Sequence, residues 1–86
     1  MTILGEYLKE LRGSLSFGDV QKDTGISSSL LHRYENGSVV PSPEKLEILA
    51  SFYEKPYKEL RLKYYQDIFS DPREREVARE YFNLTP

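Results

Sequence analysis

Apolar residues recur at helical spacing along most of the chain. In residues 2–12 they form one stripe, which consists of Ile3, Leu4, Tyr7, Leu8 and Leu11. Residues three or four positions apart share one face of an α-helix, so this stripe predicts a helix with one buried side. Thr2 is positioned to cap it, and Gly13-Ser14 ends it. The same spacing predicts helices over 17–24 and 27–35, from Pro43 to Glu54-Lys55, and from Pro56 to Phe69.

The stretch 16–37 predicts two short helices joined by a tight turn. Ser16 and Asp19 have the spacing of a capping box, which satisfies backbone N–H groups at a helix start. The residues that then face inward are Phe17, Val20 and Thr24. Gly25 stands where the backbone must become left-handed, a conformation that a side chain would resist. Ile26 fills the turn.

The second of these helices, residues 27–35, has one apolar and one polar face. Ser27 is its cap, and its buried stripe consists of Leu30, Leu31 and Tyr34. Ser28, Ser29, His32 and Arg33 lie on the opposite side. Base edges in the DNA major groove present hydrogen-bond donors and acceptors, so a helix that enters it needs an outer face of small polar side chains. The pattern favours a DNA-binding helix.

The segment TGISSSLLHRYENG resembles the recognition half of a helix-turn-helix of the lambda-repressor/Cro-like (XRE) family. The resemblance is carried by Gly25-Ile26 in the turn, by Tyr34-Glu35-Asn36-Gly37 at the end of the recognition helix and by Pro41-Ser42-Pro43 before the next helix. Leu46, Leu49, Ala50 and Phe52 resemble the fourth helix of the family. The resemblance implies an all-α, five-helix DNA-binding domain. It also implies a cytoplasmic transcriptional regulator, most simply a repressor that binds double-stranded DNA as a homodimer.

We expect ten residues to contact DNA: Ser16, Phe17, Gln21, Ser27, Ser28, Ser29, His32, Arg33, Asn36 and Ser38. Arg33 suits guanine O6 and N7, with a salt bridge to an acid as the alternative. His32 is either solvated or in contact with a base or phosphate. Gln21 stands where the family commonly has a small Ala, and it is either a solvated edge residue or a partner of the DNA backbone. Glu35 is expected to be structural, paired with an Arg.

The charge balance argues against a strongly basic DNA-binding surface. The chain has 12 Lys and Arg against 14 Asp and Glu, a net charge of −2. Residues 1–37 hold two Lys and two Arg against five acids. The loop 38–42 has no basic residue, and its Val39 and Val40 suggest packing or a small contact surface. A local basic excess occurs at 55–63. These residues form either a solvated face or a second positive surface that contacts DNA. These features keep a rival open, a protein-interaction module of antitoxin or antirepressor type.

Other functions lack the residues that they need. The sequence has no Cys and one His, so we expect no disulfide, metal site or cofactor. No apolar run approaches the roughly 18 residues of a membrane span, and the first residues do not show the basic-then-apolar pattern of a secretory leader, so we expect neither. No carboxylate pair, catalytic triad or phosphate-binding glycine loop stands out, so we do not expect an enzyme.

The C-terminal part predicts a helix beyond the five-helix domain. Asp71, Pro72 and Glu74 have the spacing of a helix start, which predicts a helix over 72–83. We therefore divide the chain into a DNA-binding domain, 1–69, and an extension, 70–86. The extension either packs on the monomer core or pairs with a second chain. The candidate dimerisation residues are Tyr64, Tyr65, Ile68, Phe69, Val77, Tyr81 and Phe82.

Overall fold

The computed structural model describes residues 2–70, which form five α-helices and, within that range, no strand. The helices are α1 (Ile3–Arg12), α2 (Phe17–Thr24), α3 (Ser28–Asn36), α4 (Pro43–Phe52) and α5 (Tyr57–Ser70). The predicted all-α fold is confirmed. The predicted helix over 72–83 lies outside the described residues, and the division at residue 69 stays a prediction.

The helices begin where capping side chains satisfy their first N–H groups. Thr2 Oγ1 accepts from the N–H of Gly5 at 2.9 Å, so α1 starts at Ile3 and not at residue 2. Ser27 is likewise the cap of α3, which therefore spans 28–36 and not 27–35. Ser42 caps α4, and the proline that follows it occupies the first turn, as predicted.

Helix α4 ends earlier than predicted, at Phe52 instead of 54–55. Glu54 adopts a left-handed conformation with φ 56°, and the N–H of Lys55 returns to the carbonyl of Ala50 at 2.9 Å. This six-residue closure is the bond that ends many helices, although glycine usually holds the left-handed position. The first helical residue of α5 is Tyr57, directly after the predicted opening proline.

One hydrophobic core holds the five helices together. Its fully buried side chains come from α2, the α2–α3 turn, α4 and α5, and they are Val20, Ile26, Leu46, Leu49 and Leu60. Leu4, Leu8, Leu31, Tyr34 and Ala50 complete it. Ile3, which the apolar stripe of α1 placed inside, is 39% exposed. The core thus spans all five helices, and it fixes α3 through its inner face.

Helices α1 and α3 approach closely at Gly5. A Cβ at this position would lie 2.5 Å from the carbonyl oxygen of Glu35 and 2.8 Å from that of Tyr34. Real Cβ atoms do not come so close to backbone, so only glycine allows this crossing distance. The absent side chain therefore determines how α1 packs on α3.

The N-terminus of α1 is also tied to α5. The Asp67 carboxylate accepts from the N–H of Ile3 at 2.6 Å and from the N–H of Leu4 at 3.0 Å. A negative charge at a helix N-terminus is stabilised by the unpaired N–H groups and the helix dipole. The first and last described helices are therefore joined by a carboxylate cap.

Within residues 2–70, no helix has both the length and the apolar character that crossing a membrane requires. The same residues contain no group of three or more His, Cys, Asp and Glu side chains that could hold a metal ion.

Candidate nucleic-acid interface

Helix α3 turns one face to the core and the opposite face outward. Leu31 and Tyr34 are each 4% exposed. Ser29, His32, Arg33 and Asn36 are exposed. Because these positions alternate with the helical period, the outer face is a continuous polar surface roughly two and a half turns long. The predicted division is confirmed for these residues, whereas Leu30 and Ser28, expected on the buried and outer sides, are both half-buried.

The turn between α2 and α3 fixes the angle at which α3 is held. Gly25 has φ 76° and ψ 0°, the predicted left-handed conformation, and its N–H donates to the Gln21 carbonyl at 2.8 Å. Ile26 follows and is 1% exposed. The Thr24 hydroxyl accepts from the N–H of Ile26 at 3.2 Å and donates to the Val20 carbonyl at 2.7 Å. Backbone and side-chain bonds thus hold the turn in one conformation.

Two side chains satisfy the N–H groups at the start of α3. The Ser27 hydroxyl accepts from the N–H of Leu30 at 3.1 Å. Gln21 reaches across from α2, and its side-chain oxygen accepts from the backbone N–H and from the hydroxyl of Ser28, each at 2.7 Å. The sequence suggested a solvated residue or a DNA contact at this position. In the structure Gln21 has a further role, because its side chain forms hydrogen bonds with the first turn of α3.

The end of α3 is closed by bonds within the protein. Gly37 is left-handed, with φ 83°, and its N–H donates to the carbonyl of Tyr34 at 3.3 Å. The Asn36 side-chain oxygen accepts from the N–H of Ser38 at 2.9 Å and from its hydroxyl at 2.6 Å. Within residues 2–70 the Asn36 amide nitrogen has no acceptor and is available to a partner, whereas the backbone N–H groups of residues 37 and 38 are bonded.

The N-terminus of α2 carries its own negative charge. Ser16 Oγ accepts from the N–H of Asp19, and the Asp19 carboxylate accepts from the N–H of Ser16, both at 3.0 Å. The bond from the N–H of Ser16 to the carboxylate, and then the interaction of the Ser16 hydroxyl with the same carboxylate, lower the pKa of the Asp19 carboxyl. The predicted capping box is confirmed. Its carboxylate occupies an N–H group that a DNA phosphate would otherwise approach.

A charged pair joins α1 to α3 beside this surface. Arg12 Nε and Nη2 donate to the two oxygens of Glu35 at 2.7 and 2.9 Å. The Arg12 guanidinium lies 4.1 Å from the ring centre of Phe17, and this ring meets His32 edge to face at 5.5 Å. Glu35 is thus paired with an Arg, as expected, and it raises the pKa of Arg12. Phe17 is half-buried in this contact, and Arg12 is neutralised.

Two polar side chains on the outer face of α3 remain available to a partner. Among residues 2–70, neither the Ser29 side chain nor the Arg33 side chain has a hydrogen-bond partner, and both residues are exposed. Arg33 is also the only Lys or Arg in α3. A guanidinium and a hydroxyl on one exposed helix face can donate to base edges or phosphates. This arrangement suits recognition of a groove.

The sequence profile of the helix-turn-helix domain family matches residues 3–62. The chain belongs to this family. Its domain is of the XRE/Cro-like type, so the resemblance seen in the sequence is confirmed. A helix-turn-helix domain indicates a DNA-binding regulator. No curated protein and no solved structure matches the chain.

The candidate dimerisation residues of this helix-turn-helix protein fall into two groups. Val77, Tyr81 and Phe82 lie outside the described residues. Tyr64, Tyr65 and Ile68 on α5 are half-buried, and Phe69 is 36% exposed. The Tyr65 hydroxyl accepts from Arg61 at 2.9 Å. Tyr64 packs against the core of the domain, so part of its surface is used within the monomer.

The basic run 55–63 of the helix-turn-helix domain is partly engaged with aromatic rings. The Arg61 guanidinium lies 5.2 Å from the ring centre of Tyr64 and 5.0 Å from that of Tyr65. The Lys63 amine lies 5.0 Å from the ring centre of Tyr7. Such contacts stabilise a cation next to a ring face. The exposed remainder consists of Lys55 and Lys58.

One of the two valines in the loop 38–42 packs against the hydrophobic core. Val39 contacts the core and Pro41 is buried, whereas Val40 is 55% exposed. The loop therefore supplies apolar packing and no cation to the helix-turn-helix surface.

Three residues that shape the helix-turn-helix domain were not singled out in the sequence. Gly5 sets the α1–α3 distance, Arg12 is the partner of Glu35, and Asp67 caps α1. A glycine inside a helical stripe is a usable signal, because it costs about 1 kcal/mol relative to alanine and needs a packing reason. The other two contacts join residues far apart in the chain, and no local pattern indicates them.

Proposed function

We propose that this protein is a cytoplasmic, sequence-specific transcriptional regulator, and specifically a repressor, that reads the DNA major groove with α3. The observation that carries the proposal is the outer face of α3. Ser29, His32 and Arg33 are exposed there, while a glycine turn and buried side chains hold the helix rigidly. A rigid helix with donors and acceptors on its free face can make base contacts at low entropic cost.

Arg33 is the residue that we assign to base recognition. It is exposed and has no acidic partner among residues 2–70, which supports a binding role over the salt bridge suggested as its alternative. The acid that stands nearby in sequence, Glu35, is bound to Arg12 at 2.7 Å. Arg33 therefore keeps its fork of donors, and guanine O6 and N7 match that fork.

A selection from a random DNA pool tests the proposal. We expect the wild-type protein to enrich one short sequence. Arg33→Ala should weaken binding to that sequence by about 1–3 kcal/mol and weaken binding to random DNA less. Lys58→Ala, an exposed cation on α5, is the matched control and should affect both DNAs equally and weakly. Failure of the wild-type protein to enrich any sequence would contradict the proposal.

Few cations flank α3, so the proposed binding should depend weakly on salt. Asp19 places a carboxylate at the start of α2, and Arg12 is paired. The slope of log K against log salt scales with the number of phosphates neutralised, so we expect a shallow slope per monomer. A steep slope would assign phosphate contacts to Lys55 and Lys58.

We further propose that the protein represses as a homodimer that pairs through α5 and the extension 70–86. One small domain covers one half-site, and two half-sites lie about 34 Å apart on one face of DNA. The apolar residues Val77, Tyr81 and Phe82 of the extension need a partner surface, and a two-fold seam would use the same residues on both chains. Tyr64, Tyr65, Ile68 and Phe69 are the opposing surface in this proposal.

Sedimentation tests the dimer. The double variant Tyr81→Glu with Phe82→Glu should be a folded monomer with much weaker binding to a two-half-site DNA. Lys58→Ala again serves as the control and should sediment as the wild type does. A wild-type protein that is monomeric at high micromolar concentration would contradict this assignment of residues 70–86.

The rival function is a protein-interaction module. It is favoured by the start of α2, where the Asp19 carboxylate already occupies a backbone N–H group. Asp19 and the neutralised Arg12 leave this edge without the positive charge that phosphate contact uses. Binding of a protein partner together with no enrichment of DNA would support the rival.

A further inference from the structure

Gln21 determines which way the hydroxyl of Ser28 points. A backbone N–H can only donate, so the Gln21 atom 2.7 Å from the Ser28 N–H must be the amide oxygen. The same oxygen lies 2.7 Å from Ser28 Oγ. An amide oxygen can only accept, so the hydroxyl must donate its single hydrogen to Gln21.

Because its hydrogen is already donated to Gln21, the Ser28 hydroxyl can only accept a hydrogen bond from any further partner. A serine without such a contact rotates its hydroxyl and can either donate or accept. Ser28 stands in the first turn of α3 and is half-buried, so its oxygen is not withdrawn from the surface. In a helix-turn-helix domain, the N-terminal residues of the recognition helix are those that meet base edges.

We propose that Gln21 makes Ser28 an acceptor-only contact that selects adenine or cytosine over guanine or thymine. In the major groove, adenine presents N6–H₂ and cytosine presents N4–H₂, whereas guanine and thymine present keto oxygens. An amine facing Ser28 Oγ completes a hydrogen bond. A keto oxygen there faces lone pairs and stays unsatisfied. Gln21 is thus a positioning residue that sets specificity through Ser28, and this inference rests on the proposed reading of DNA by α3.

The amide nitrogen of Gln21 makes a separate contribution to DNA binding in this proposal. Its oxygen is committed to Ser28, and among residues 2–70 its nitrogen donates to no partner. Gln21 is exposed, so this nitrogen is available to a phosphate oxygen. A phosphate contact of this kind adds affinity on every sequence and carries no base preference.

Two substitutions at Gln21 separate these parts. Gln21→Met has a similar length but cannot accept from Ser28, so the hydroxyl becomes free to rotate. Gln21→Glu keeps the acceptor toward Ser28, loses the amide donor and adds a negative charge on the DNA side. A carboxylate near the start of α3 also suits the helix dipole, so this variant should be at least as stable as the wild type.

The experiment begins with sequences selected by the wild-type protein from a random pool. Ser28→Ala identifies the base position that depends on Ser28, and duplexes are then made with each base at that position. We expect the wild type to prefer an amine base over a keto base by about tenfold, the value of one net hydrogen bond. For Gln21→Met, and for Gln21→Ala as a second variant, the preference should fall below about twofold. Gln21→Glu should keep the tenfold preference while binding every duplex several-fold more weakly.

Several results would overturn the inference. One is a preference that persists in Gln21→Met or Gln21→Ala, when thermal melting shows either variant to be folded. Another is a preference for keto bases in the wild type, and a third is a selected sequence in which Ser28→Ala changes no position. These outcomes leave the proposed function standing. Absence of any selected sequence would instead remove the proposed function and this inference together.

Discussion

The two sides of α3 are built from different kinds of contact. On the inner side, Gly5 brings the backbone of α1 against that of α3, and Arg12 binds both oxygens of Glu35. On the outer side, Ser29 and Arg33 are exposed, and within residues 2–70 no hydrogen bond or ion pair holds either side chain. The junction between α1 and α3 therefore tolerates few residues, while the outer face tolerates many. One short helix can keep its position in the fold and still change the DNA that it reads.

The largest effect is expected at Gly5. Glycine to alanine inside an exposed helix gains about 1 kcal/mol. In Gly5→Ala, however, the new Cβ would lie 2.5 Å from the carbonyl oxygen of Glu35, so α1 and α3 must separate. We expect a loss of about 2–3 kcal/mol in the free energy of unfolding, as for an overpacked core, measured by denaturant titration.

Gly18→Ala is the matched control for this change. A Cβ there would meet Ser16 Oγ at 3.6 Å, an ordinary contact, and Gly18 is exposed on α2. We expect a gain of about 0.5–1 kcal/mol. Stabilisation by both substitutions would mean that α1 and α3 are farther apart than described.

The next effect is expected from the charged pair of the junction. The Arg12 and Glu35 side chains are 17% and 7% exposed, and two parallel bonds join them. Exposed pairs contribute about 0.2–1 kcal/mol, and this pair should exceed that range. A double-mutant cycle with Arg12→Ala and Glu35→Ala should give a coupling energy of about 2 kcal/mol. A coupling below 0.5 kcal/mol would place the pair among ordinary surface contacts.

A smaller effect should appear at alkaline pH. Burial, and then the charge of Glu35, raises the pKa of Tyr53 to about 12, while Arg12 acts in the opposite direction. A raised pKa in the folded state stabilises the protein fully below about pH 10 and less as pH rises from 10 to 12. We expect a loss of about 1 kcal/mol over that interval, after allowance for solvent screening.

Tyr53→Phe isolates this contribution. The pKa of Tyr7 is also raised to about 12, by burial and by its bond to Glu59, so the wild type has more than one alkaline transition. The difference between wild type and Tyr53→Phe should therefore be constant below pH 10 and change above it. A constant difference up to pH 12 would contradict the assignment.

The smallest effects on stability are expected on the outer face. Ser29→Ala and Arg33→Ala remove side chains without a hydrogen-bond partner among residues 2–70. Each should change the free energy of unfolding by less than about 0.5 kcal/mol, measured by thermal melting. A larger loss of stability from either substitution would show that the outer face of α3 contributes to the fold. That result would contradict the difference described between the two sides of α3.

The sequence predicted those parts of the fold that depend on near neighbours. The capping box at Ser16 and Asp19 is confirmed, and so are the left-handed Gly25 and the Ser42 cap. Each involves residues at most four positions apart, whose types carry the conformational preference. The end of α4 was displaced because its left-handed residue, Glu54, is not a glycine.

The sequence predicted which face of α3 is buried and which is exposed. It did not predict the side-chain bonds that join α3 to the other helices. The helical period separates buried Leu31 from exposed Arg33. The pairing of Glu35 with an Arg was expected, but its identity as Arg12 depends on how α1 crosses α3. Gln21 looked like an edge residue because its partner, Ser28, lies beyond a turn. Contacts of this kind follow from the angle between helices, which no single stretch of sequence contains.

The carboxylate cap on α1 has a consequence for how the chain closes during folding. Asp67 and Ile3 are 64 residues apart, so their bond requires the longest loop closure described in this domain. Such contacts form after the local helices and the core have brought the two ends together. The amide protons of Ile3 and Leu4 therefore report the last step of assembly. Their exchange with deuterated solvent would measure how often the end of α5 detaches from the start of the chain.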